Sequence, residues 1–133
     1  MSIAVGSGAP GEGPLFEHAG AGGAQASTAL VPAINVLLGR AGWRLNQLDA
    51  IVFGRGPGSF TGLRTACSVA QGLAFGASVP ALPVDTLMAV AEEVRARHGS
   101  RRVMAVLDAR MGEVYAAAYE FDADCWQIGR AHV

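Results

Sequence analysis

The fold is decided by one stretch, Gly54-Arg55-Gly56-Pro57-Gly58-Ser59-Phe60-Thr61-Gly62-Leu63-Arg64, which is a glycine-rich turn between two differently patterned segments. Residues 49–53 before it form a short apolar run of strand formers, too brief for a helix. In residues 63–75 after it, apolar side chains recur at helical spacing. The pattern therefore predicts a strand, a tight turn and a helix in succession.

The residue types in the turn also predict its geometry. Glycine permits positive φ and close backbone approach, whereas Pro57 fixes its own φ and favours extended geometry at Gly56. Thr61 is predicted to be the N-cap of the helix, with Gly62 as its first residue. The free N–H groups at such a helix start can hold an anion or the backbone of a partner.

Motif chemistry alone leaves several interpretations of the turn open. A phosphate-binding P-loop requires a lysine that is missing here, and a nucleophile elbow requires serine where Phe60 stands. A dinucleotide fingerprint fits better, since Gly54, Gly56 and Gly62 are roughly placed and Asp85 ends the next apparent strand. Pro57 and the long spacing to Gly62 depart from that fingerprint. A turn shaped only for packing is the fourth interpretation.

The turn, followed by Ala70-Gln71-Gly72-Leu73-Ala74, resembles the signature of the TsaB family. A second block, Asp108-Ala109-Arg110-Met111-Gly112-Glu113-Val114-Tyr115, resembles the same family at the expected distance downstream. The resemblance implies an α/β fold of the actin/Hsp70/sugar-kinase (ribonuclease H-like) class. It also implies a non-catalytic subunit that binds TsaD in tRNA threonylcarbamoyladenosine (t6A) synthesis, alongside TsaE, with no cofactor. The loop signature carried over from the family is Gly54, Arg55, Gly56, Pro57, Gly58, Ser59, Thr61, Gly62 and Arg64.

Composition limits the partners that the chain can bind directly. Its 133 residues are 51% hydrophobic and carry a net charge of −1, so no overall positive field attracts RNA. Arginines at 95, 97, 101 and 102 are interpreted as a solvated face. We therefore expect contact with tRNA only through a complex. No signal peptide or long apolar run is visible, and the cytoplasm is the expected location, with no membrane contact.

No catalytic or metal-binding constellation is predicted. Two cysteines are too few for a disulfide scaffold, and the three histidines lack metal-ligand spacing. His18 is interpreted as a strand residue near an edge. Asp108 and Glu113 can be drawn as an acid/base pair, but carboxylates at a hairpin end are usually solvated.

The remaining elements follow from periodicity and turn signals. Strands are predicted at 2–5, 15–18, 51–53, 81–84, 103–107 and 113–121, and helices at 25–41, 62–76 and 86–97. Ser27 or Thr28 is expected to cap the first helix, and Pro32 to lie in its first turn or bend it. Asp85 is the expected N-cap of the third helix, and glycines 42 and 99 stop the first and third.

One helical surface is predicted to bind a partner. The second helix is rich in alanine and glycine, which either allow close packing on its own sheet or let another helix approach. The resemblance implies that the first two helices pair with TsaD, or with a second copy of the chain. The predicted partner face consists of Leu30, Ile34, Leu37, Leu38, Leu63, Ala66 and Ala70.

Domain organisation is predicted largely from the resemblance. Residues 1–99 correspond to a partial first lobe that lacks its first strand, and residues 100–126 to the first hairpin of a second lobe. Residues 127–133 resemble the translation of a sequencing-adapter read-through and are excluded from the functional argument. Unpaired strand edges then predict a poorly stable chain, without a sharp thermal transition above about 50 °C. The alternative function is a nucleotide-binding enzyme of the kinase/ATPase superfamily that uses the glycine loop.

Overall fold

A computed structural model describes residues 1–8, 11–22 and 24–128 of the chain. The chain forms two compact units. The first unit comprises residues 1–53 and 59–83, and the second comprises residues 54–58 together with the chain from residue 84 onward. These compact units differ from the predicted lobes, since the third helix and the Gly54–Gly58 loop belong to the second unit, and the lobe boundary at residue 99 stays a prediction.

The first unit opens with the predicted hairpin. Strands β1 (Ser2–Gly6) and β2 (Leu15–Ala19) pair antiparallel, with Val5 opposite Phe16. Helix α1 (Ala24–Ala41) packs on this hairpin, and Gly42 follows it with a φ of 71°. Pro32 lies inside α1, beyond the first turn.

A second pair of strands completes the first unit. A short 3₁₀ turn (Leu45–Gln47) leads to β3 (Ile51–Gly54), α2 (Phe60–Ala77) and β4 (Ala81–Val84). The N–H of Ile51 donates to the carbonyl of Pro80, and the N–H of Arg55 donates to that of Val84, each at 2.9 Å. Both bonds advance along the two strands in the same direction, so β3 and β4 are parallel. Among the described residues, β1 pairs only with β2, and β3 only with β4.

The core of the first unit lies between α1 and the hairpin. Val5, Leu37 and Leu38 are buried, and Ile34, Phe16 and Trp43 are among the half-buried side chains that pack against them. Ile34, Leu37 and Leu38 are three and four residues apart, which explains why one face of α1 enters the core.

The second unit is a helix on a three-stranded sheet. Helix α3 (Thr86–His98) ends at Gly99, and β5 (Arg102–Arg110), β6 (Glu113–Asp122) and β7 (Cys125–Ile128) follow as an antiparallel sheet in chain order. Its buried core consists of Leu87, Ala91, Ala105 and Tyr119. Burial alternates along β5 although its middle is apolar throughout, so that one face contacts α3 and the other exposes Met104 and Val106.

Two sequence predictions concern the end of the chain and the membrane. Of the excluded residues 127–133, Gln127 and Ile128 belong to β7 and pair with β6, and the others lie outside the described residues. The read-through interpretation stays a prediction. No helix in the described part of the chain is long and apolar enough to cross a membrane.

Candidate functional site

The first half of the glycine turn, Gly54–Gly58, is bonded within the second unit. The N–H of Arg55 donates to the carbonyl of Val84 at 2.9 Å, and the N–H of Thr86 donates to the carbonyl of Gly56 at 2.8 Å. The loop is thereby fixed at two points to the segment that starts α3. Gly56 has a φ of 106°, not the extended geometry that Pro57 predicts, because a residue without Cβ can occupy that region.

An ion pair adds a third connection to the same segment. The Nε of Arg55 donates to Oδ1 of Asp85 at 2.7 Å, and Nη2 donates to Oδ2 at 3.0 Å. Hydrogen bonding to Arg55 holds the pKa of Asp85 below its usual range, against a smaller opposing effect of burial. The same hydrogen bond raises the pKa of Arg55. Such a bidentate pair has strict geometric requirements.

This pair revises the predicted role of Asp85. The residue occupies the N-cap position of α3, as predicted, but its side chain makes no capping hydrogen bond. A carboxylate that is already bonded by both oxygens is also a poor acceptor for a ribose hydroxyl, which weakens the dinucleotide interpretation.

The second half of the turn starts α2 in the first unit. Ser59, not Thr61, is the N-cap, and its hydroxyl accepts from the N–H of Gly62 at 3.5 Å. Helix α2 begins at Phe60, two residues before the predicted start. Thr61 lies in the first turn, because Ser59 already supplies the acceptor three residues ahead of Gly62. The guanidinium of Arg64 stacks 3.9 Å from the centroid of the Phe60 ring.

The predicted caps of α1 are likewise wrong. Ser27 and Thr28 lie inside the helix, which begins at Ala24. The hydroxyl of Thr28 donates to the carbonyl of Gln25 at 3.0 Å. This is a bond to the preceding turn, which threonine makes inside helices, and it satisfies no free N–H group.

A cavity in the first unit joins residues from both predicted sets. Its volume is about 540 Å³, and it lies at the start of α2, whereas a separate, smaller cavity of about 320 Å³ is lined by Gly72 and Gly76 further along the helix. The larger cavity is lined by the N-cap Ser59, by Thr61, Gly62 and Ala66 of α2, and by Leu30 of α1. We call this larger cavity the α1–α2 groove. No arginine or lysine side chain is among its described lining residues, so the groove offers no side-chain cation to a phosphate.

The predicted partner face is divided between core and surface. Leu37, Leu38 and Ala70 are buried, with Leu37 fully inaccessible, so these three serve the first unit's own packing. Helical periodicity places them on the same stripe as the accessible members and cannot separate the two roles. The members that stay partly accessible are Leu30, Ile34, Leu63 and Ala66.

Glycines and exposed aromatic residues add to the accessible surface of the two helices. A Cβ built at Gly72 or Gly76 of α2 meets no described atom within 4 Å, so these glycines are not required by packing inside the chain. Phe60 and Phe75, also on α2, are 68% and 90% exposed. The two rings lie at opposite ends of the helix, 15 residues apart, so each is a separate exposed apolar site rather than part of one patch.

Several charged side chains of the second unit form ion pairs or hydrogen bonds within that unit. The four arginines of the basic cluster each pair with an acid: Arg95 with Glu92, Arg97 with Glu93, Arg101 with Asp122 and Arg102 with Glu120. The carboxylate of Asp108 accepts from the N–H of Arg110 at 2.7 Å, as in a local turn. Within the described ranges, no group of three or more His, Cys, Asp or Glu side chains is arranged to hold a metal.

Two contacts were missed by sequence reasoning. Arg55 and Asp85 each follow a predicted strand, and the ends of neighbouring parallel strands meet at one edge, so this pair had a usable signal. The second contact is the Trp126 indole, which donates to Glu92 at 2.8 Å from a strand that no pattern predicted.

Comparisons with known proteins show what this chain is similar to. The family model of TsaD, described as tRNA N6-adenosine threonylcarbamoyltransferase, matches residues 22–131. The tRNA threonylcarbamoyladenosine biosynthesis protein TsaB of Haemophilus influenzae is 50% identical over 86 residues, which cover 65% of this chain and 36% of that protein. TsaB of Escherichia coli is 46% identical over 93 residues, covering 70% of this chain and 40% of that protein.

A solved structure extends the similarity to nearly the whole chain. YeaZ from Pseudomonas aeruginosa superimposes with a TM-score of 0.81 and 38% identity, covering 98% of this chain and 59% of YeaZ. The chain therefore spans roughly two fifths of the length of the two curated relatives and under two thirds of the solved one.

Proposed function

Because the chain belongs to the TsaD family and, within it, to the TsaB proteins, we propose that it serves as a non-catalytic subunit of the tRNA t6A modification complex. Its fold is the α/β, actin-like and ribonuclease H-like class of its structural relatives. In this proposal the chain contributes a binding surface for TsaD, and TsaD carries the reaction.

The observation that carries the proposal is the α1–α2 groove. Leu30 and Ala66 line it, and the start of α2 closes one end with small side chains. An apolar groove between two helices suits a helix of another protein, whose side chains enter between the two. The open space beside Gly72 and Gly76 supports the same role, since glycine inside a helix lowers its stability by about 1 kcal/mol relative to alanine.

The loop residues have a supporting role in this proposal. Gly54, Gly56, Pro57 and Gly58 shape the turn, and Arg55 fixes it to Asp85. Ser59, Thr61 and Gly62 form the end of the groove, and Arg64 stacks on Phe60 of α2. No residue of the chain is assigned a catalytic role.

The proposed complex also determines which other partners we expect. We propose a heterodimer with TsaD, with TsaE joining the complex and tRNA bound only through it. A homodimer through the same helices is the competing assembly in the absence of TsaD. The proposed location is the cytoplasm, where tRNA modification takes place.

The architecture of the first unit supports a further detail of the proposal. β1 and β3 each have one edge without a partner strand among the described residues, and both line a cavity of about 270 Å³ with apolar walls. We propose that this is the position of the first strand of the lobe. A five-residue peptide in which apolar and polar residues alternate should protect the amides of β1 and β3 from hydrogen exchange. Unchanged hydrogen exchange would reject this detail of the proposal.

Co-purification with tagged TsaD tests the main proposal. Ala66→Trp fills the groove and should abolish co-purification while the far-ultraviolet circular dichroism stays unchanged. Ser68→Trp places the same bulk on the exposed side of α2, outside the groove, and should retain TsaD. Loss of TsaD with Ser68→Trp alone would assign the interface to the side of Phe75 instead.

Calorimetric titration distinguishes the alternative function. A nucleotide-binding enzyme should bind ATP or NAD with a saturable heat signal that Arg55→Ala or Thr61→Ala weakens. The proposed subunit should give no such signal and should still bind TsaD. Tight nucleotide binding without affinity for TsaD would overturn the proposal.

A further inference from the structure

The start of α3 has the backbone of a capped helix without the side-chain cap. Asp85 has φ and ψ of −66° and 130°, the extended geometry typical of an N-cap residue, and its carbonyl accepts the first helical bond from the N–H of Ala89 at 3.0 Å. Aspartate is among the best N-cap residues, since its carboxylate accepts from the N–H groups of the second and third helical residues, here Leu87 and Met88. In this structure the carboxylate makes no such bond.

The loop takes over part of the capping role. The carbonyl of Gly56 accepts from the N–H of Thr86 at 2.8 Å, which satisfies one of the free donors of the first turn. Asp85 is held away from the other donors by its two hydrogen bonds to Arg55. The Arg55 side chain is 57% exposed, whereas that of Asp85 is 27% exposed, so another anion can reach Arg55 more easily than another cation can reach Asp85.

We propose that Asp85 has two alternative partners and that Arg55 decides between them. With Arg55 bound, Asp85 holds the Gly54–Gly58 loop against α3, and the loop carbonyl caps the helix. When Arg55 is taken by another anionic group, the Asp85 side chain rotates onto the N–H groups of Leu87 and Met88. Because the backbone of Asp85 already has the N-cap geometry, the change of partner at Asp85 requires rotation of its side chain and no change of its own backbone.

This change of partner at Asp85 allows the Gly54–Gly58 loop to leave α3. Departure of the loop removes the acceptor from Thr86, and the carboxylate then supplies a new acceptor to the same helical turn. The loop can therefore change conformation without unwinding α3. Arg55 and Asp85 act in this as positioning residues, since neither is placed against a reacting group.

Amide hydrogen exchange of the 133-residue chain, resolved by NMR, tests the proposal. In Arg55→Ala, the Thr86 amide should exchange about fivefold faster, and the Leu87 and Met88 amides about fivefold slower, as expected for a newly formed helix cap. In Asp85→Ala, Thr86 should also exchange faster, but Leu87 and Met88 should gain no protection. The double variant should behave like Asp85→Ala.

A matched control and a second measurement keep the test decisive. Arg102→Ala removes another exposed arginine–carboxylate pair, from the sheet of the same unit, and should leave all three amides unchanged. Three-bond couplings of Asp85 report its side-chain rotamer independently of exchange, and they should change in Arg55→Ala. An unchanged rotamer, or equal protection of Leu87 and Met88 in the double variant, would overturn the proposal.

Discussion

The two units bury their apolar residues in different ways. In the first unit, Leu37 and Leu38 lie between one helix and one hairpin, and the four strands form two separate pairs. In the second unit, three consecutive strands form one sheet and α3 covers one face of it. The Trp126 ring contacts Tyr119 and Phe121 there, with centroid distances of 6.1 and 5.2 Å.

The difference indicates where each unit is open to partners. The second unit builds its core from α3 and three strands that follow one another in the chain. The first unit leaves strand edges, helix grooves and the glycines of α2 without a neighbour among the described residues. Such features lower the stability of an isolated chain, and they are also the features that a partner protein can cover.

The largest effect expected from this difference is selective unfolding of the first unit. Leu37→Ala removes a fully buried side chain and should lower the free energy of unfolding by about 2–5 kcal/mol. The chain has two tryptophans, Trp43 packed on the first core and Trp126 on the second. In urea denaturation followed by fluorescence, Leu37→Ala should lower the midpoint of a Trp126→Phe chain, in which Trp43 reports on the first core. It should lower the midpoint less in a Trp43→Phe chain, in which Trp126 reports on the second core.

The neighbouring valine supplies the control for this experiment. Val36 is 62% exposed, and Val36→Ala should change the free energy of unfolding by no more than about 0.5 kcal/mol. If Leu37→Ala lowered both tryptophan midpoints equally, the two units would unfold together and the comparison would lose its basis.

A smaller effect is expected from the polar contacts of the second unit. Glu92 accepts hydrogen bonds from Arg95 and from the Trp126 indole, and bonding to Arg95 is the main reason why the pKa of Glu92 is lowered. Because the folded pKa lies below the unfolded one, this stabilisation is fully present above the ordinary glutamate pKa. It is lost as the pH falls through the folded pKa.

Glu92→Gln should remove this acid dependence. The amide oxygen still accepts from Trp126, so we expect a loss of about 1 kcal/mol at neutral pH, reduced by the partial exposure of the pair. Urea midpoints of the variant and the parent should converge towards low pH. Glu93→Gln, which removes the more exposed pair with Arg97, is the matched control and should shift the midpoint less.

Most of the elements followed from the sequence because their signals are local. The short apolar run before the glycine turn, the helical stripe that includes Leu37 and the stop at Gly99 each depend on residues a few positions apart. The predicted strands and helices are all present, with ends that differ by a few residues. The family signature added the fold class, which the comparisons confirm in its coarse form.

Side-chain partners could not be predicted in the same way. The Asp85 carboxylate could accept hydrogen bonds either from the start of α3 or from an arginine. The choice depends on Arg55, which lies 30 residues away in sequence. The stripe of α1 predicted apolar contact, but only the packed hairpin shows that Leu37 faces the core. Trp126 belongs to β7, whose short sequence carries no strand pattern. These choices are made by tertiary packing, which a single sequence does not display.

A modest effect on stability and amide exchange is expected at the start of α2 and not at the start of α3. Ser59→Ala removes the side-chain cap of α2, and since the hydrogen bond is long, at 3.5 Å, we expect a loss near 0.5 kcal/mol, the low end for N-caps. Exchange of the Gly62 amide should increase, and that of Thr86 in the second unit should not. Ser59→Asp restores an acceptor and should recover the protection. Faster exchange at both sites would contradict separate capping of the two helices.

The smallest effect distinguishes a helix cap from a residue inside a helix. Thr28 lies within α1, where its hydroxyl bonds back to Gln25, and threonine is a poorer helix former than alanine. Thr28→Ala should therefore raise the free energy of unfolding by a few tenths of a kcal/mol, or leave it unchanged, in the Trp43 fluorescence assay. A capping threonine would behave in the opposite way, because its loss typically destabilises a protein by about 1 kcal/mol. A clear destabilisation by Thr28→Ala, absent in the exposed control Ser68→Ala, would place the start of α1 at Thr28 and shorten the helix that packs on the hairpin.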